Sequence, residues 1–193
     1  DRARNADKDD LVVGAGAAGL ECAMVLGKRG MRRVHIVEAE SEMGGIMRWI
    51  PQLPGLGEWG RVVNNRRIQV DKLPNVEFIA DMRLSAQDIR EYGAELVIIA
   101  TGSHWAMDGL NPQTRGPIPG VDASLEWCLT PEQIMVEGKQ APGSRVVVYD
   151  TEGYFMGLSL AEKLMQEGKR VTYVTPFTVA SPYTFQTGEG YRI

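Results

Sequence analysis

A chain of 193 residues, 44% hydrophobic and 24% charged, has the make-up of one or two globular domains with enough apolar side chains for a buried core. Its net charge of −4, with basic residues scattered apart from Arg32-Arg33 and Arg66-Arg67, speaks against nucleic acid or an anionic membrane as partner. No apolar run approaches the roughly twenty residues that span a bilayer, no signal-peptide pattern opens the chain, and Cys22 and Cys128 are too few for a disulfide framework or a metal cluster, so a cytoplasmic protein without membrane contact is expected.

Residues 1–10 are polar and read as a linker. The chain opens without Met and closes on Thr187-Gly188-Glu189-Gly190-Tyr191 with no strand to finish the pattern, so a piece of a longer protein is expected. Leu11-Val12-Val13 is a strand, kept short by Asp9 and Asp10 before it. Gly14-Ala15-Gly16-Ala17-Ala18-Gly19 follows, and nineteen residues beyond Gly19 comes Glu38, at the end of a second strand, Val34–Val37. A strand, a glycine turn, a helix and an acid-ended strand in this spacing form a dinucleotide-binding fingerprint. Gly14 allows the tight turn, Gly16 lets backbone approach a pyrophosphate, and Gly19 lets helix pack closely on strand. The phosphates would rest on the positive end of the helix, where Ala17 and Ala18 lie. Glu38 would accept hydrogen bonds from a ribose diol and repel a 2′-phosphate, which favours ADP or an NAD-like ligand over an NADP-like one. The helix is expected over 17–30, with Leu20, Ala23, Met24 and Gly27 on one face and Cys22 as a small core residue.

After Glu38 and Ala39, the Gly44-Gly45 pair gives backbone room beside the pyrophosphate and sugar. Residues 58–73 have helical spacing, 76–79 read as a strand, and Met82-Arg83-Leu84 as a second short strand. Ser85 is a suitable N-cap for a helix ending at Tyr92, with Asp88 as an imperfect capping-box partner and Gly93 as its stop. The apolar run Leu96-Val97-Ile98-Ile99, ending in Ala100-Thr101-Gly102, reads as a parallel strand buried on both faces. A Pro- and Gly-rich connection leads to a short helix begun by Thr130-Pro131-Glu132. Cys128 receives no role.

A second strand–turn–helix–strand unit follows, with strands at 145–149 and 171–174 and a helix at 153–167. Its turn reads Asp150-Thr151-Glu152-Gly153-Tyr154-Phe155-Met156-Gly157. Two carboxylates stand where a pyrophosphate would need neutral backbone. At about 4 Å in an effective dielectric near 20, each like-charge contact costs about 4 kcal/mol before screening. Tyr154 and Phe155 add bulk. This second fold is expected to have lost nicotinamide-nucleotide binding.

The Ala100-Thr101-Gly102 end is also a marker of the two-dinucleotide flavoproteins, in which this segment passes the bound nucleotide. Together with Gly44-Gly45, Leu53-Pro54-Gly55-Leu56-Gly57-Glu58-Trp59, Trp105, Asp108-Gly109, Pro117-Ile118-Pro119-Gly120, Leu129-Thr130-Pro131-Glu132-Gln133 and Tyr154-Phe155-Met156, it gives a specific pattern. In that order, from Leu11 to about Pro176, the chain resembles the C-terminal nucleotide-binding region of the trimethylamine and dimethylamine dehydrogenases, iron–sulfur flavoproteins related to 2,4-dienoyl-CoA reductase. The resemblance implies an α/β architecture: a glutathione reductase-type pair of FAD/NAD(P)-binding Rossmann-like βαβ domains. Residues 11–130 would form an incomplete FAD-like, ADP-binding domain and 131–193 an incomplete, degenerate NAD(P)-like insertion.

It further implies an N-terminal barrel, outside this chain, that carries FMN, a [4Fe–4S] cluster and the site for a small amine substrate. Oxidative N-demethylation there would send electrons through the cluster to an electron-transferring flavoprotein, within a homodimer. The present chain would hold ADP in an FAD-like site and contain no catalytic residue or metal ligand. Gly14, Gly16, Ala17, Ala18, Gly19 and Glu38 are its nucleotide residues by motif, with Ala39, Gly45, Arg48, Trp49 and Thr101 placed near the same nucleotide. The competing reading is an NAD(P)H-dependent flavin reductase of the 2,4-dienoyl-CoA reductase type. That activity would need an intact glycine turn at residues 150–157, which the chain lacks.

Overall fold

The structure, a computed structural model, describes residues 2–188 and 190. They divide into two compact units. One runs to Ser103 without Gln52–Gly55, and the other takes Gln52–Gly55 and the chain from His104 onward.

The first unit is a parallel four-stranded sheet in the order β3-β2-β1-β4, built from β1 (Asp9–Val13), β2 (Arg33–Val37), β3 (Val76–Ile79) and β4 (Leu96–Ile99). Alternation along β1 and β2 sends side chains to two different cores. Val12, Val34 and Ile36 pack with Leu20 and Ala23 of α1 (Ala17–Lys28) and with Val70 of α2 (Gly60–Asp71). Leu11, Val13 and Val37 pack with Leu84, with Ile89 of α3 (Ala86–Tyr92), and with Ala94. Gly27 lets α1 lie close to the chain before β3, since a Cβ there would fall 2.4 Å from a Val76 methyl.

Three expectations change. The strand begins at Asp9, and the Ala3 N–H donates to the Arg29 carbonyl at 2.9 Å, so the segment 1–10 read as a linker is partly built into the sheet unit. Asp10 is thereby buried, 1% exposed, with no hydrogen-bond partner among the described residues for either carboxylate oxygen. Met82–Leu84 forms no strand: Asp81 turns the chain at φ 55°, and the Asp81 and Met82 amides bond instead to the carbonyls of Glu40 and Glu38. Finally, among the described residues β4 is an edge strand paired only with β1, and Ile99 is 61% exposed rather than covered on both faces. The Ser85 cap forms a complete box, with Asp88 N–H on Ser85 Oγ at 3.2 Å and Ser85 N–H on Asp88 Oδ2 at 2.7 Å; Gly93 ends the helix in the left-handed region.

In the second unit, α4 (Pro131–Met135) is tied to the preceding connection. Gln133 Nε2 donates to the Ala123 carbonyl at 2.9 Å, and His104 Nδ1 lies 2.8 Å from Glu132 Oε1. This second unit takes in the chain from His104 onward, with residue 130 inside it. Next come β5 (Arg145–Tyr149), α5 (Phe155–Gln166) and β6 (Arg170–Val174), with β5 and β6 parallel in a two-stranded sheet. No helix among the described residues is long and apolar enough to cross a membrane.

Candidate nucleotide-binding site

The site is built at the C-terminal ends of β1, β2 and β4, where the strand order reverses direction around β1. Open α/β sheets bind ligands at such a switch point. Three glycines shape it, each for a separate reason. Gly14 leaves β1 at φ 100°, and a Cβ there would lie 2.4 Å from the Ala100 carbonyl oxygen. Gly19, buried in the first turn of α1, touches the turn itself: its Cβ would fall 1.9 Å from the Gly14 oxygen. Gly16 differs from both, because nothing lies within 4 Å of its Cβ position. Gly16 is also the N-cap of α1, with extended backbone and no side-chain cap. The first amides of the helix, at Ala17, Ala18 and Gly19, therefore face space with no side-chain acceptor supplied from within, next to the positive end of the helix dipole.

Glu38 stands beside them at the end of β2. Its Oε2 accepts the Ala15 N–H at 2.7 Å and its Oε1 accepts the Glu40 N–H at 3.1 Å. A carboxylate has about four acceptor positions, so each oxygen keeps one for a ribose hydroxyl. The sequence pattern pointed to Glu38 as a ribose acceptor; its role as a brace holding the glycine turn to β2 is legible only in the structure. Ala39 is half-buried just beyond it.

The Gly-Gly pair runs alongside the same turn. Gly44 donates its N–H to the Ala15 carbonyl at 2.8 Å and forms a parallel bridge with Gly16. Gly45 lies so close that its Cβ would approach the Gly16 Cα to 3.2 Å. Arg48 is on the surface, paired with Glu42 at 3.0 Å, its stem beside Gly44. Trp49 is buried, 7% exposed. Thr101 is exposed after β4, its Cα 3.1 Å from the Gly14 Cβ position. The structure thus brings Gly14, Gly16, Ala17, Ala18, Gly19, Glu38, Gly45 and Thr101 to one end of the sheet.

These residues fit an ADP moiety: open backbone at Gly16, uncapped helix amides for the pyrophosphate, and a braced carboxylate for the sugar. Among the described residues, no three His, Cys, Asp or Glu side chains group as metal ligands. Cys22 packs half-buried against the α1 core, its thiol pushed up by burial, and Cys128 is a free thiol in the second unit.

The second turn closes on itself. Asp150, 5% exposed, accepts the Glu152 N–H at 2.9 Å and the Gly153 N–H at 3.2 Å through Oδ1, and its Oδ2 accepts the Tyr173 hydroxyl. The carboxylate lies against the first turn of α5, where a Cβ on Gly157 would fall 2.7 Å from Asp150 Cγ. Phe177 covers Gly153. Burial and the Asp150 hydrogen bond push the Tyr173 hydroxyl up to about 12.

Two family models match parts of the chain. Residues 9–49 match an FAD binding domain, and residues 129–189 match the OYE-like second alpha/beta domain. The chain is 44% identical over 177 residues to dimethylamine dehydrogenase of Hyphomicrobium sp. (strain x), an alignment covering 89% of this chain and 24% of that protein. Two solved structures superpose closely. The 6-hydroxypseudooxynicotine amine oxidase of Pseudomonas geniculata N1 gives a TM-score of 0.89 at 42% identity, over 99% of this chain and 28% of that one. Histamine dehydrogenase of Rhizobium sp. 4-9 gives 0.88 at 40% identity, over 100% of this chain and 29% of that one. The chain spans about a quarter of the length of these relatives. By sequence the chain is a homologue of dimethylamine dehydrogenase and by fold it is similar to the amine oxidase and the histamine dehydrogenase, with an FAD-like nucleotide-binding region at residues 9–49.

Proposed function

We propose that this chain is the ADP-holding part of a cytoplasmic amine dehydrogenase that oxidatively N-demethylates dimethylamine or trimethylamine. The observation that carries the reading is the open Gly16 beside uncapped α1 amides, with Glu38 braced on the Ala15 N–H. In this role the chain's own residues bind and orient; they move no proton and break no bond. FMN, a [4Fe–4S] cluster and the amine pocket would belong to the rest of the protein, which would act as a homodimer and pass electrons to an electron-transferring flavoprotein. ADP is favoured over an NADP-like ligand because Glu38 would oppose a 2′-phosphate.

The reductase alternative requires a second dinucleotide site, and Asp150 fills the turn where its pyrophosphate would lie. The test is made on the full-length protein. It is expected to oxidise dimethylamine or trimethylamine with an electron-transferring flavoprotein as acceptor, to bind ADP by calorimetry, and to show no reduction by NADH or NADPH. Flavin reduction by a pyridine nucleotide, with no turnover of either amine, would replace this reading with the reductase one.

A further inference from the structure

At the opposite end of the same sheet lies a cavity of about 500 Å³ whose charge pattern the nucleotide site does not explain. Its floor is apolar, made by Leu26 of α1, Met31 before β2 and Leu96 of β4. Its polar rim carries three arginines, Arg2, Arg4 and Arg29, and no acidic residue lines it. The volume falls in the range of small-molecule sites, about 300–1,000 Å³.

Some arginines of the unit pair with acids, and others, Arg67, Arg83 and Arg90 among them, make no ion pair with any described residue. Arg32 and Arg33 pair with Asp9 at 2.7 Å, Arg61 with Glu58 at 3.0 Å, and Arg66 with Glu21 at 2.8 Å. Arg2, Arg4 and Arg29 make no ion pair with any described residue; of the acids at this end of the sheet, Asp9 and Glu95 are engaged and the buried Asp10 is not. Asp9 holds Arg32 and Arg33, and Glu95 accepts the Asp9 N–H at 2.9 Å. The rim is tethered, since Ala3 N–H bonds the Arg29 carbonyl and the Arg2 stem lies over Gly30, where a Cβ would meet it at 3.4 Å. A cation at the C-terminal end of α1 complements the helix dipole and accounts for Arg29 alone. It does not account for three guanidinium groups around an apolar floor.

We propose that this cavity is a second ligand site, for a small anion with an apolar body, such as a phosphate monoester or carboxylate joined to one ring. The guanidinium fork matches the geometry of either oxyanion, and the floor would take the apolar part. Five residues of β1 separate this end from the glycine turn, about 16 Å at the strand rise, so both sites could be filled together.

Calorimetry on the full-length protein saturated with ADP tests this, with phenyl phosphate, inorganic phosphate and phenol as probes. Phenyl phosphate is expected to bind saturably and more tightly than either of the other two. The Arg4→Gln/Arg29→Gln variant should lose about tenfold or more of that affinity, the scale of a charge-assisted bond, with its melting curve and ADP affinity unchanged. Arg29→Lys, which keeps charge but not the fork, should fall between. The proposal fails if phenyl phosphate shows no saturable binding, for instance because the rest of the protein fills the cavity. It fails equally if inorganic phosphate or phenol binds as tightly, or if the arginine variants leave affinity unchanged.

Discussion

In the first βα turn, the strand gives way to Gly14, and the space beside Gly16 is open backbone at the head of an uncapped helix. In the second, the same step of the plan holds Asp150, whose carboxylate takes the Glu152 and Gly153 amides and the Tyr173 hydroxyl for itself. Both units keep the parallel strand pair and the crossover helix, and both carry a glycine in the helix's first turn, Gly19 and Gly157. Gly19 accommodates a backbone carbonyl, whereas Gly157 accommodates an acidic side chain. In the second unit an internal carboxylate thus takes the turn amides, whereas the first unit leaves its helix-entry amides open.

The contrast can be broken first at the glycines. Gly19→Ala drives a methyl to within 1.9 Å of a backbone oxygen, so it should cost about 3 kcal/mol of stability and abolish ADP binding; denaturant melts and calorimetry read both. Gly16→Ala meets no protein atom, so it should cost only the N-cap penalty of Ala, about 1 kcal/mol or less, while ADP affinity falls, since the methyl enters space meant for ligand. Equal stability loss in the two variants would mean that Gly16 serves packing alone. Next, Glu38→Arg should weaken ADP by about 1–3 kcal/mol, through lost ribose acceptors and a released Ala15 amide.

At the second turn, Asp150→Ala leaves two amides and a hydroxyl without their acceptor and should cost about 1–2 kcal/mol of stability. Tyr173 should then titrate below its present value of about 12, yet still above an ordinary tyrosine, because burial, the larger cause, remains. Ultraviolet titration measures this. NADH binding should not appear, since Phe177 still covers Gly153.

The smallest effect is a slope. Burial, reinforced by the charges of Asp9 and Glu95, holds the Asp10 carboxyl above its usual range. A carboxyl raised in the folded state contributes stability fully below its unfolded value, near 4, and loses it as pH rises toward the folded value. Wild type should therefore lose stability relative to Asp10→Asn as pH climbs from about 4, then run parallel to it. Parallel curves throughout would mean that Asp10 finds a partner.

The fingerprint was legible because spacing alone brings Gly14, Gly16, Gly19 and Glu38 to one sheet end, and local rules fixed the Ser85 and Thr130 caps. What the sequence hid was set by long-range placement. Nothing in the run of residues 96–99 tells an edge strand from a central one, and Asp9-Asp10 looks like linker until Val34 and Leu96 pair with Asp10. The Glu38 brace and the Asp150–Tyr173 bond each join residues more than twenty positions apart. Trp49, marked near the nucleotide by resemblance, lies buried in the chain that follows Gly45.

The most direct test of the central claim is a crystal structure of the full-length protein with ADP. The account predicts the pyrophosphate against the amides of residues 16–19 and the ribose hydroxyls on the Glu38 carboxylate. A nucleotide bound at any other place, or a site that stays unfilled at saturating ADP, would contradict it.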